Sequence, residues 1–447
     1  MSRVLSASPQ RPADIVLDVP ATPASEVIAA VGKARAAQRE WAAAPAADRA
    51  AALTATADSV AARARELAEL VVREVGKPID EATGEVARTV AILRYYAQQC
   101  FDPLGETYPG AGGLNFTVRR PRGVAGLITP WNFPLAIPVW KAAPALAYGN
   151  AAVVKPSPDA TACALRLAEL FAAHVPDGVC TVLPGLGEAG EALTGAADLV
   201  SFTGSVVVGR RVAVAAAARG IPAQCEMGGL SASIVLPDAD VSRAAAQIAY
   251  AAMGYAGQKC TATKRILVVG DAGPFTEALR ERLGALVVGD PAREGVAVGP
   301  VISEAARRRV LAAASGETVL TGAAGPGEGW YVPPTIVTGL DADARLNREE
   351  VFGPICTLTS VSDVDTALAV ADGTRYGLVT ALYDNDLDAV MSVVDRCASG
   401  MVKVNAPTSG VDFHLPFGGE KDSGYGGREQ GKAAVGFYTS PRTVQLG

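Results

Sequence analysis

Strand and helix signals alternate along most of this 447-residue chain, and this alternation restricts the folds open to it. From Gly123 onward the pattern predicts strands at 123–129, 151–155, 179–183 and 199–203, with helices at 139–147 and 160–173. Such a rhythm is typical of a parallel sheet covered by helices. A second series, between residues 231 and 423, predicts another α/β domain with strands at 233–236, 265–269, 355–360 and 401–405.

The segments that flank the two series carry different signals. From Pro23 to about Gln99, apolar side chains recur three and four residues apart, as they do in amphipathic helices. Gly and Pro then accumulate over residues 103–113, and the alternation at 114–120 predicts a hairpin. The final segment, 437–446, is β-prone and set apart from its neighbours, so it can pair elsewhere, including with another subunit.

Charge and composition exclude several classes of protein. The formal net charge is −6 and its signs are interspersed, so a nucleic-acid partner is not expected. Residues 124–140 carry no charge, but three prolines at four-residue intervals and Asn132 make a membrane-spanning helix unfavourable. We therefore predict a buried strand followed by a shaped loop, and no membrane association.

Cysteine and histidine usage restricts the chemistry. The seven cysteines are scattered and form no CxxC pair, which indicates a reducing compartment, so a cytoplasmic location is expected. Only His174 and His414 are present, which leaves little material for a zinc site or a serine–histidine triad. No metal is expected, and any chemistry has to depend on other groups.

Cys260 is a candidate nucleophile between a glycine-containing loop and a predicted strand, in the segment 257–261 (GQKCT). A thiolate attacks carbonyl carbon well, and the neighbouring cation of Lys259 is expected to favour ionisation of the thiol. The alternative is a small buried side chain without a chemical role, as most single cysteines are.

Glu226 and Asn132 are candidates for proton transfer and charge stabilisation. Glu226 lies between apolar residues and a glycine pair, and a buried Glu indicates either a salt bridge or a general base with a raised pKa. Asn132 lies in the segment 129–134 (TPWNFP), whose prolines restrict the backbone. Its amide can donate to a developing oxyanion, or it can be a turn residue before a helix.

Three further segments are candidates for ligand binding. At 204–205, Gly-Ser follows a predicted strand, where a phosphate can approach backbone N–H groups, although the GxGxxG fingerprint is absent. The alternative there is a plain helix start capped by Ser205 or Thr203. Lys155 ends a predicted strand at a possible ligand-binding edge, or is simply solvated. Glu350 precedes a Gly-Pro turn and alone would be an ordinary surface acid.

Taken together and in this order, these segments resemble the aldehyde dehydrogenase family over nearly the whole chain. By this resemblance Cys260 is the nucleophile, Glu226, 34 residues earlier, is the general base, and Asn132 is the oxyanion donor. The resemblance also implies a Rossmann-like cofactor domain, an α/β catalytic domain and a small β oligomerisation arm. Their expected ranges are 1–99 with 122–228, 229–430, and 100–121 with 431–447, respectively.

The same resemblance implies a nicotinamide cofactor. The predicted contacts are Thr129, Trp131, Lys155, Ser157, Gly204, Ser205, Glu350 and Phe352. Lys155 would hold the adenosine ribose, the 204–205 turn would lie under the pyrophosphate, and Glu350 would bind the nicotinamide ribose with Phe352 beside the ring. Pro158 stands where many NAD-preferring members carry a Glu that repels a 2′-phosphate. Either NAD or NADP is therefore expected.

The implied reaction oxidises an aldehyde to a carboxylic acid. Cys260 attacks the aldehyde, hydride passes to the nicotinamide, and water activated by Glu226 hydrolyses the thioester. One alternative is an acylating enzyme that passes the thioester to coenzyme A, although members of that kind commonly lack the glutamate. The other alternative is a catalytically silent protein with the same fold. The resemblance implies a homodimer or homotetramer.

The resemblance says less about which aldehyde is bound. Phe133, Trp140 and Phe417 are expected to form the apolar walls of the aldehyde tunnel. The C-terminal part of the chain looks like the branch that oxidises 2-oxoglutarate semialdehyde, so a semialdehyde or another small anionic aldehyde is expected. Lys259 or Arg94 is the expected partner of its anionic end.

Overall fold

The computed structural model describes residues 2–102, 105–110, 113–314, 318–341 and 343–446. Its strands are β1 (Arg3–Ala7), β2 (Ile15–Pro20), β3 (Thr107–Tyr108), β4 (Leu114–Pro121), β5 (Val124–Ile128), β6 (Ala151–Lys155), β7 (Cys180–Val182), β8 (Leu199–Gly204), β9 (Ala223–Met227), β10 (Ala232–Val235), β11 (Arg265–Val269), β12 (Thr318–Thr321), β13 (Thr335–Val337), β14 (Ile355–Val361), β15 (Tyr376–Gly377), β16 (Val379–Tyr383), β17 (Met401–Val404), β18 (Glu420–Lys421), β19 (Gly424–Tyr425) and β20 (Thr439–Leu446).

The α-helices alternate with these strands. They are α1 (Ala24–Ala43), α2 (Ala46–Ala62), α3 (Ala64–Val75), α4 (Ile79–Gln99), α5 (Ala136–Ala147), α6 (Thr161–Ala172), α7 (Gly187–Ala196), α8 (Val206–Ala218), α9 (Val241–Met253), α10 (Gly273–Ala285), α11 (Glu304–Ala313), α12 (Arg345–Arg348), α13 (Val364–Asp372), α14 (Leu387–Val394) and α15 (Ala434–Tyr438). The predicted mixed α/β fold is confirmed, including the run of amphipathic helices before residue 100.

The first alternating series forms a sheet of order β19-β9-β8-β5-β6-β7, in which β5 to β9 are parallel. The chain leaves β5 toward β6 and β7 on one side and returns to β8 and β9 on the other. The side chains of β5 and β6 are buried on both faces, between two hydrophobic clusters. A reversal of strand order of this kind opens a crevice at the carboxyl ends of β5 and β8, where α/β proteins bind ligands.

The second series forms a sheet of order β12-β13-β14-β11-β10-β16-β17, parallel apart from the edge strand β12. The chain returns to the first sheet at β19, which pairs antiparallel with β9. The expected catalytic range of 229–430 contains β19 and so did not anticipate its pairing with the first sheet. A two-residue strand in a glycine-rich segment has no periodic pattern by which it can be recognised.

Three further small sheets complete the described chain, and one of them is the antiparallel pair of β15 and β18. The C-terminal strand β20 pairs with β4 along its whole length, and β3 pairs with the other edge of β4. The predicted hairpin and C-terminal strand thus belong to one antiparallel sheet, although residues 103, 104, 111 and 112 lie outside the described part. The β1–β2 hairpin was not predicted.

The charge-free stretch 124–140 forms β5, a loop and the first turn of α5. Helix α5 begins at Ala136, before the predicted start at 139. Pro138 is tolerated because it falls in the first turn, where backbone N–H groups have no partner within the helix. Among the described residues, no helix is long and apolar enough to cross a membrane.

Candidate active site

A cavity of about 580 Å³ lies where the carboxyl ends of β5, β8 and β9 face the segment before β11. The predicted site residues that line it are Trp131, Asn132, Phe133, Trp140, Gly204, Ser205, Glu226, Cys260, Glu350, Phe352 and Phe417. The structure therefore brings together side chains that are separated by up to almost 300 positions in the sequence. Four predicted residues are not among the lining residues: Thr129, Lys155, Ser157 and Lys259.

The loop that carries Cys260 has an unusual backbone. Tyr255, Ala256 and Gly257 have φ angles of 54°, 53° and 62° in succession, which is the left-handed region. A Cβ at Gly257 would lie 2.3 Å from the carbonyl oxygen of Gly353, so a larger residue does not fit. Backbone strain of this kind persists where the surrounding structure holds a functional group in place. Here it turns the chain so that Cys260 lines the cavity.

The Cys260 side chain is a protonated thiol at neutral pH in this environment. Burial raises the pKa of the thiol to about 12, and the carboxyl groups of Glu350 and Glu226 add to the increase. The backbone N–H groups of Thr261 and of Cys260 itself oppose the increase. A nucleophilic role therefore requires that the proton be removed during the reaction.

Lys259 does not assist that step, contrary to the expectation from sequence. Its ammonium group donates to Glu81 at 2.7 Å and lies 5.3 Å from the centre of the Tyr250 ring. This ion pair directs the cation away from Cys260 and from the cavity. The position of Lys259 therefore does not support its two predicted roles, activating the thiol and contacting the substrate, because adjacent residues in a loop need not point the same way.

Glu226 lies in β9 with its carboxyl group buried at the cavity wall. Burial raises the pKa of Glu226 well above its usual value, and the nearby carboxyl of Glu429 raises it further; Lys141 opposes the shift. Within the described residues, the Oε2 atom has no hydrogen-bond partner. A Cβ at Gly418 would lie 2.7 Å from Glu226 Oε1, so this glycine leaves the space that the carboxyl occupies. Of the two interpretations from sequence, the salt bridge is not found among the residues that the structure describes.

A buried polar network that the sequence analysis missed lies behind Glu226. The ammonium group of Lys141 is ion-paired with Glu429 and donates to the Ser201 hydroxyl at 2.7 Å. Glu429 also accepts from Ser201 at 2.9 Å and from Trp140 Nε1 at 2.8 Å. The only signal in the sequence was a lysine within the otherwise apolar helix α5. The network holds the Trp140 indole in place through its bond to Glu429. The charges of Glu429 and Lys141 also contribute to the electrostatic potential at the Glu226 carboxyl.

Asn132 is linked directly to the loop that carries the cysteine. It is 4% exposed, and its Nδ2 donates to the carbonyl oxygen of Gln258 at 3.0 Å. This bond uses one N–H of the amide, and the second N–H of the same group remains for another acceptor. The amide nitrogen thus lies at the cavity wall on the side of Cys260.

The opposite part of the cavity has the features of a phosphate site. It is lined by Thr203, Gly204 and Ser205 at the start of α8. Ser205 caps that helix by accepting from Val208 N at 3.5 Å, whereas Thr203 Oγ1 has no partner among the described residues. Ser205 is therefore the N-cap of α8, as the alternative interpretation from sequence had it, but this role does not exclude ligand binding at the same helix N-terminus.

Two glycines shape the space around this site. A Cβ at Gly204 would lie 2.6 Å from the Phe202 ring, and one at Gly228 would lie 1.8 Å from Glu350 Oε2. Thr129 Oγ1, at the end of β5, is buried without a partner among the described residues. The two glycines thus leave room for the Phe202 ring and the Glu350 carboxyl, and the unpaired hydroxyls beside a helix N-terminus fit a dinucleotide whose oxygens supply the missing partners.

Glu350 and Phe352 form a wall of the cavity. Glu350 is not an ordinary surface acid: its Oε1 accepts from Gly229 N at 3.3 Å, and burial raises its pKa to about 7. Phe352 has a φ of 56°, and its ring lies 5.6 Å from the Trp131 ring in an edge-to-face arrangement. Lys155, the last residue of β6, is buried as well, and burial lowers the pKa of its ammonium group to about 8.

Comparison with known proteins identifies the architecture. The model of the aldehyde dehydrogenase family matches residues 3–444. The chain belongs to the aldehyde dehydrogenase family. It is similar to an alpha-ketoglutaric semialdehyde dehydrogenase of Bacillus subtilis, with 38% identity over 96% of this chain and 92% of that protein. An alpha-ketoglutarate semialdehyde dehydrogenase of Haloferax volcanii is 40% identical over 98% of this chain and 94% of its own length.

A solved structure agrees over the whole chain. The NAD-dependent aldehyde dehydrogenase of Sinorhizobium meliloti superposes with a TM-score of 0.96 at 33% identity, covering 100% of this chain and 91% of that one. The chain is thus an NAD(P)-dependent aldehyde dehydrogenase, which oxidises small aldehydes to carboxylic acids. Neither the acylating enzyme nor the silent homologue is favoured.

The aldehyde side of this dehydrogenase is lined by apolar side chains. Phe133, Trp140 and Phe417 all reach the cavity, and the rings of Trp140 and Phe417 lie 5.7 Å apart. Arg94, the other cation expected to meet an anionic substrate, is exposed and pairs with Asp58 at 2.9 Å, so its position does not support that expectation. Two other arginines line the cavity, Arg309 and Arg88, and Arg88 is on the same helix α4 as Arg94.

Several lining residues were missed by sequence analysis, among them Arg88, Ile137, Asp159, Arg309 and Val411. Helix α4 shows why: its periodicity distinguishes a buried face from an exposed one but does not indicate which charged residue faces a ligand. Within the described residues, no cluster of His, Cys, Asp and Glu side chains is placed to hold a metal ion.

Proposed function

We propose that Cys260, Asn132 and Glu226 carry out the reaction of this aldehyde dehydrogenase. Cys260 is the nucleophile: once its thiol proton has passed to solvent water, Sγ forms a bond to the aldehyde carbon, and the π electrons of the carbonyl move to its oxygen. The resulting oxyanion accepts hydrogen bonds from Asn132 Nδ2 and from the backbone N–H of Cys260. The position of Asn132 supports this role, because its amide is already held against the cysteine loop through Gln258.

The chain's residues also fit the NAD(P) cofactor that the family uses. We assign the adenosine ribose to Lys155 and Ser157, the pyrophosphate to Gly204 and Ser205, and the nicotinamide ribose to Glu350. The assignment extends to Thr129, Trp131 and Phe352 as neighbouring contacts. A nicotinamide held by these residues would supply the hydride acceptor for oxidation of the carbon attached to Cys260, which would leave that carbon as a thioester on the Cys260 sulfur.

Glu226 decides the fate of the thioester in this proposal. Its carboxylate removes a proton from a water molecule, which attacks the thioester carbon and displaces the Cys260 thiolate. A buried carboxyl with a raised pKa and one oxygen without a partner is suited to exchange a proton with such a water. This is the single observation that carries the proposal of hydrolysis rather than transfer to coenzyme A.

We propose an anionic semialdehyde as the substrate class. Relatives at 38% and 40% identity are named alpha-ketoglutaric and alpha-ketoglutarate semialdehyde dehydrogenases. A third, from Saccharolobus solfataricus, is a 2,5-dioxopentanoate dehydrogenase at 37% identity over 94% of this chain and 91% of that protein. The apolar walls near Trp140 and Phe417 suit the short methylene chain of such a molecule.

The location and assembly are proposals as well. The cysteines are all free, which supports a reducing, cytoplasmic location. The sheet of β3, β4 and β20 leaves Leu114 and Leu446 exposed, which supports its use as an arm that joins subunits into a homodimer or homotetramer. The domain ranges 1–99 with 122–228, 229–430, and 100–121 with 431–447 are retained as a proposal.

Aldehyde oxidation by the purified chain tests this function. We expect reduction of NAD or NADP with a semialdehyde in the absence of coenzyme A, and a free acid as the product. Cys260→Ala should abolish cofactor reduction while binding of the cofactor, followed by fluorescence titration, is retained. Appreciable turnover by Cys260→Ala, or a strict requirement for coenzyme A, would contradict the proposal.

A further inference from the structure

Arg88 brings a cation into the aldehyde side of the cavity that the reaction chemistry does not use. It lies on α4 and lines the cavity together with Trp140, whose ring centre is 5.9 Å from the guanidinium carbon. Its Nη2 donates to Gln430 Oε1 at 3.3 Å, which is a long bond. Its Nε is buried and has no partner among the described residues. The guanidinium is thus only partly satisfied by the protein.

The carboxylates near Arg88 do not neutralise it. Glu85 is ion-paired with Lys77 and accepts from the backbone N–H groups of Leu135 and Ala136, so its oxygens are committed elsewhere. Asp412 is exposed and, in the part of the chain that the structure describes, makes no ion pair with Arg88. Burial lowers the pKa of Arg88 while Asp412, Glu85 and Cys260 oppose that shift, and an arginine in a protein stays cationic.

Gln430 supplies a second donor beside the guanidinium. It is 1% exposed and is held at a φ of 62°, a conformation unusual for a residue other than glycine. Because its Oε1 accepts from Arg88, its Nε2 is the free donor of the amide, and it has no partner within the described residues. Buried donors without acceptors are unfavourable, and of these two residues Arg88 lines the cavity, where a ligand can bring the acceptor.

We propose that Arg88, positioned by Gln430, selects aldehydes that carry a carboxylate at the end remote from the aldehyde group. A carboxylate offers acceptor oxygens in a plane that matches the guanidinium fork. Ile137, Val411 and Phe417 line the same cavity and accommodate the methylene groups between the two ends. The inference rests on the function proposed above and assigns its substrate specificity to one residue.

The test compares two aldehydes that differ only in the remote carboxylate, 5-oxopentanoate and pentanal. For the unaltered enzyme we expect the larger kcat/KM with 5-oxopentanoate. In Arg88→Gln the ratio of the two kcat/KM values should fall by about 10- to 100-fold, as expected for the loss of a hydrogen bond to a charged group. The change should appear mainly as a higher KM for 5-oxopentanoate, since the lost contact is made equally before and during the reaction.

Arg94→Gln is the matched control. It removes the same charge from the same helix, at an exposed position paired with Asp58, and should leave the ratio unaltered. Arg88→Lys keeps a cation without the fork, so its ratio of kcat/KM values should lie between those of the unaltered enzyme and Arg88→Gln. It replaces Arg88→Gln as the test variant if Arg88→Gln does not fold. An equal loss with both aldehydes in Arg88→Gln would mean that Arg88 is structural and would overturn the inference.

Failure of this inference is distinguishable from failure of the proposed function. If the unaltered enzyme oxidises pentanal at least as well as 5-oxopentanoate, aldehyde oxidation stands and the role of Arg88 does not. If neither aldehyde nor 2,5-dioxopentanoate reduces NAD or NADP, the proposed function itself fails.

Discussion

Replacing Glu226 by Gln isolates the step that releases the acid. The substitution keeps the shape of the side chain and removes the group that accepts the proton of water. A positioned general base contributes about 10²- to 10⁴-fold, or about 3 to 5 kcal/mol of activation free energy. We expect the steady-state kcat of Glu226→Gln to fall by that factor, with a much smaller effect on the first reduction of the cofactor.

The stability of the variant follows from the same raised pKa. A carboxyl whose pKa is raised by folding retains its proton in the native state above the pH at which the unfolded chain loses it. Its contribution to the free energy of unfolding therefore falls as pH rises above about 4.5, the usual value for Glu. Gln does not titrate, so Glu226→Gln should be at least as resistant to urea as the unaltered protein at pH 8.

Stopped-flow absorbance at 340 nm is the assay, a wavelength at which the reduced nicotinamide absorbs. Glu226→Gln should show a burst close to one reduced cofactor per active site, followed by a slow steady state. The rise of the steady-state rate with pH that accompanies ionisation of Glu226 should disappear. Glu349→Gln is the matched control, because Glu349 is exposed and pairs with Arg345 on the surface. It should behave as the unaltered enzyme.

Two results would refute the assignment of Glu226. One is an unchanged steady-state rate in Glu226→Gln, which would mean that another group activates the water. The other is a slower first turnover without a burst, which would move Glu226 to the formation of the thioester. Restoration of fast turnover by coenzyme A only in the variant would still agree with the assignment, because a thiol then replaces water as the acceptor.

The remaining predictions concern the oxyanion, the thiol and the buried ion pair. Asn132→Ala should lower kcat by about 10²- to 10³-fold through loss of an oxyanion donor; steady-state kinetics measure this, and a loss below about fivefold would contradict it. Glu350→Gln should lower the pKa of Cys260, because Glu350 is the leading charge that raises it. The pH profile of alkylation by iodoacetamide without cofactor reports this shift, and an unmoved profile would count against it. Glu429→Leu should reduce the free energy of unfolding by about 3–5 kcal/mol, since it leaves Lys141 buried without its partner. Urea unfolding measures it, and replacing Lys141 by Met in the same chain should recover part of the loss.

Regular secondary structure was predictable because burial leaves a periodic pattern. β6 and β11 have the predicted bounds, and β8 extends by one residue at its carboxyl end. The β1–β2 hairpin and the two-residue β19 were missed, since short strands at edges carry too few residues to show a period. The early start of α5 is not evident from sequence because proline usually breaks a helix, whereas Pro138 falls in the first turn, which tolerates it.

By itself, the sequence determined the α/β architecture, the resemblance to aldehyde dehydrogenases and the positions of Cys260, Glu226 and Asn132, because these depend on local pattern and on motif order. Only the tertiary structure decided where each charged side chain points. It turned Lys259 toward Glu81 and brought Arg88 to the cavity. The direction of a long side chain is set by its ion-pair partners on distant elements, and neither periodicity nor sequence neighbours specify those partners.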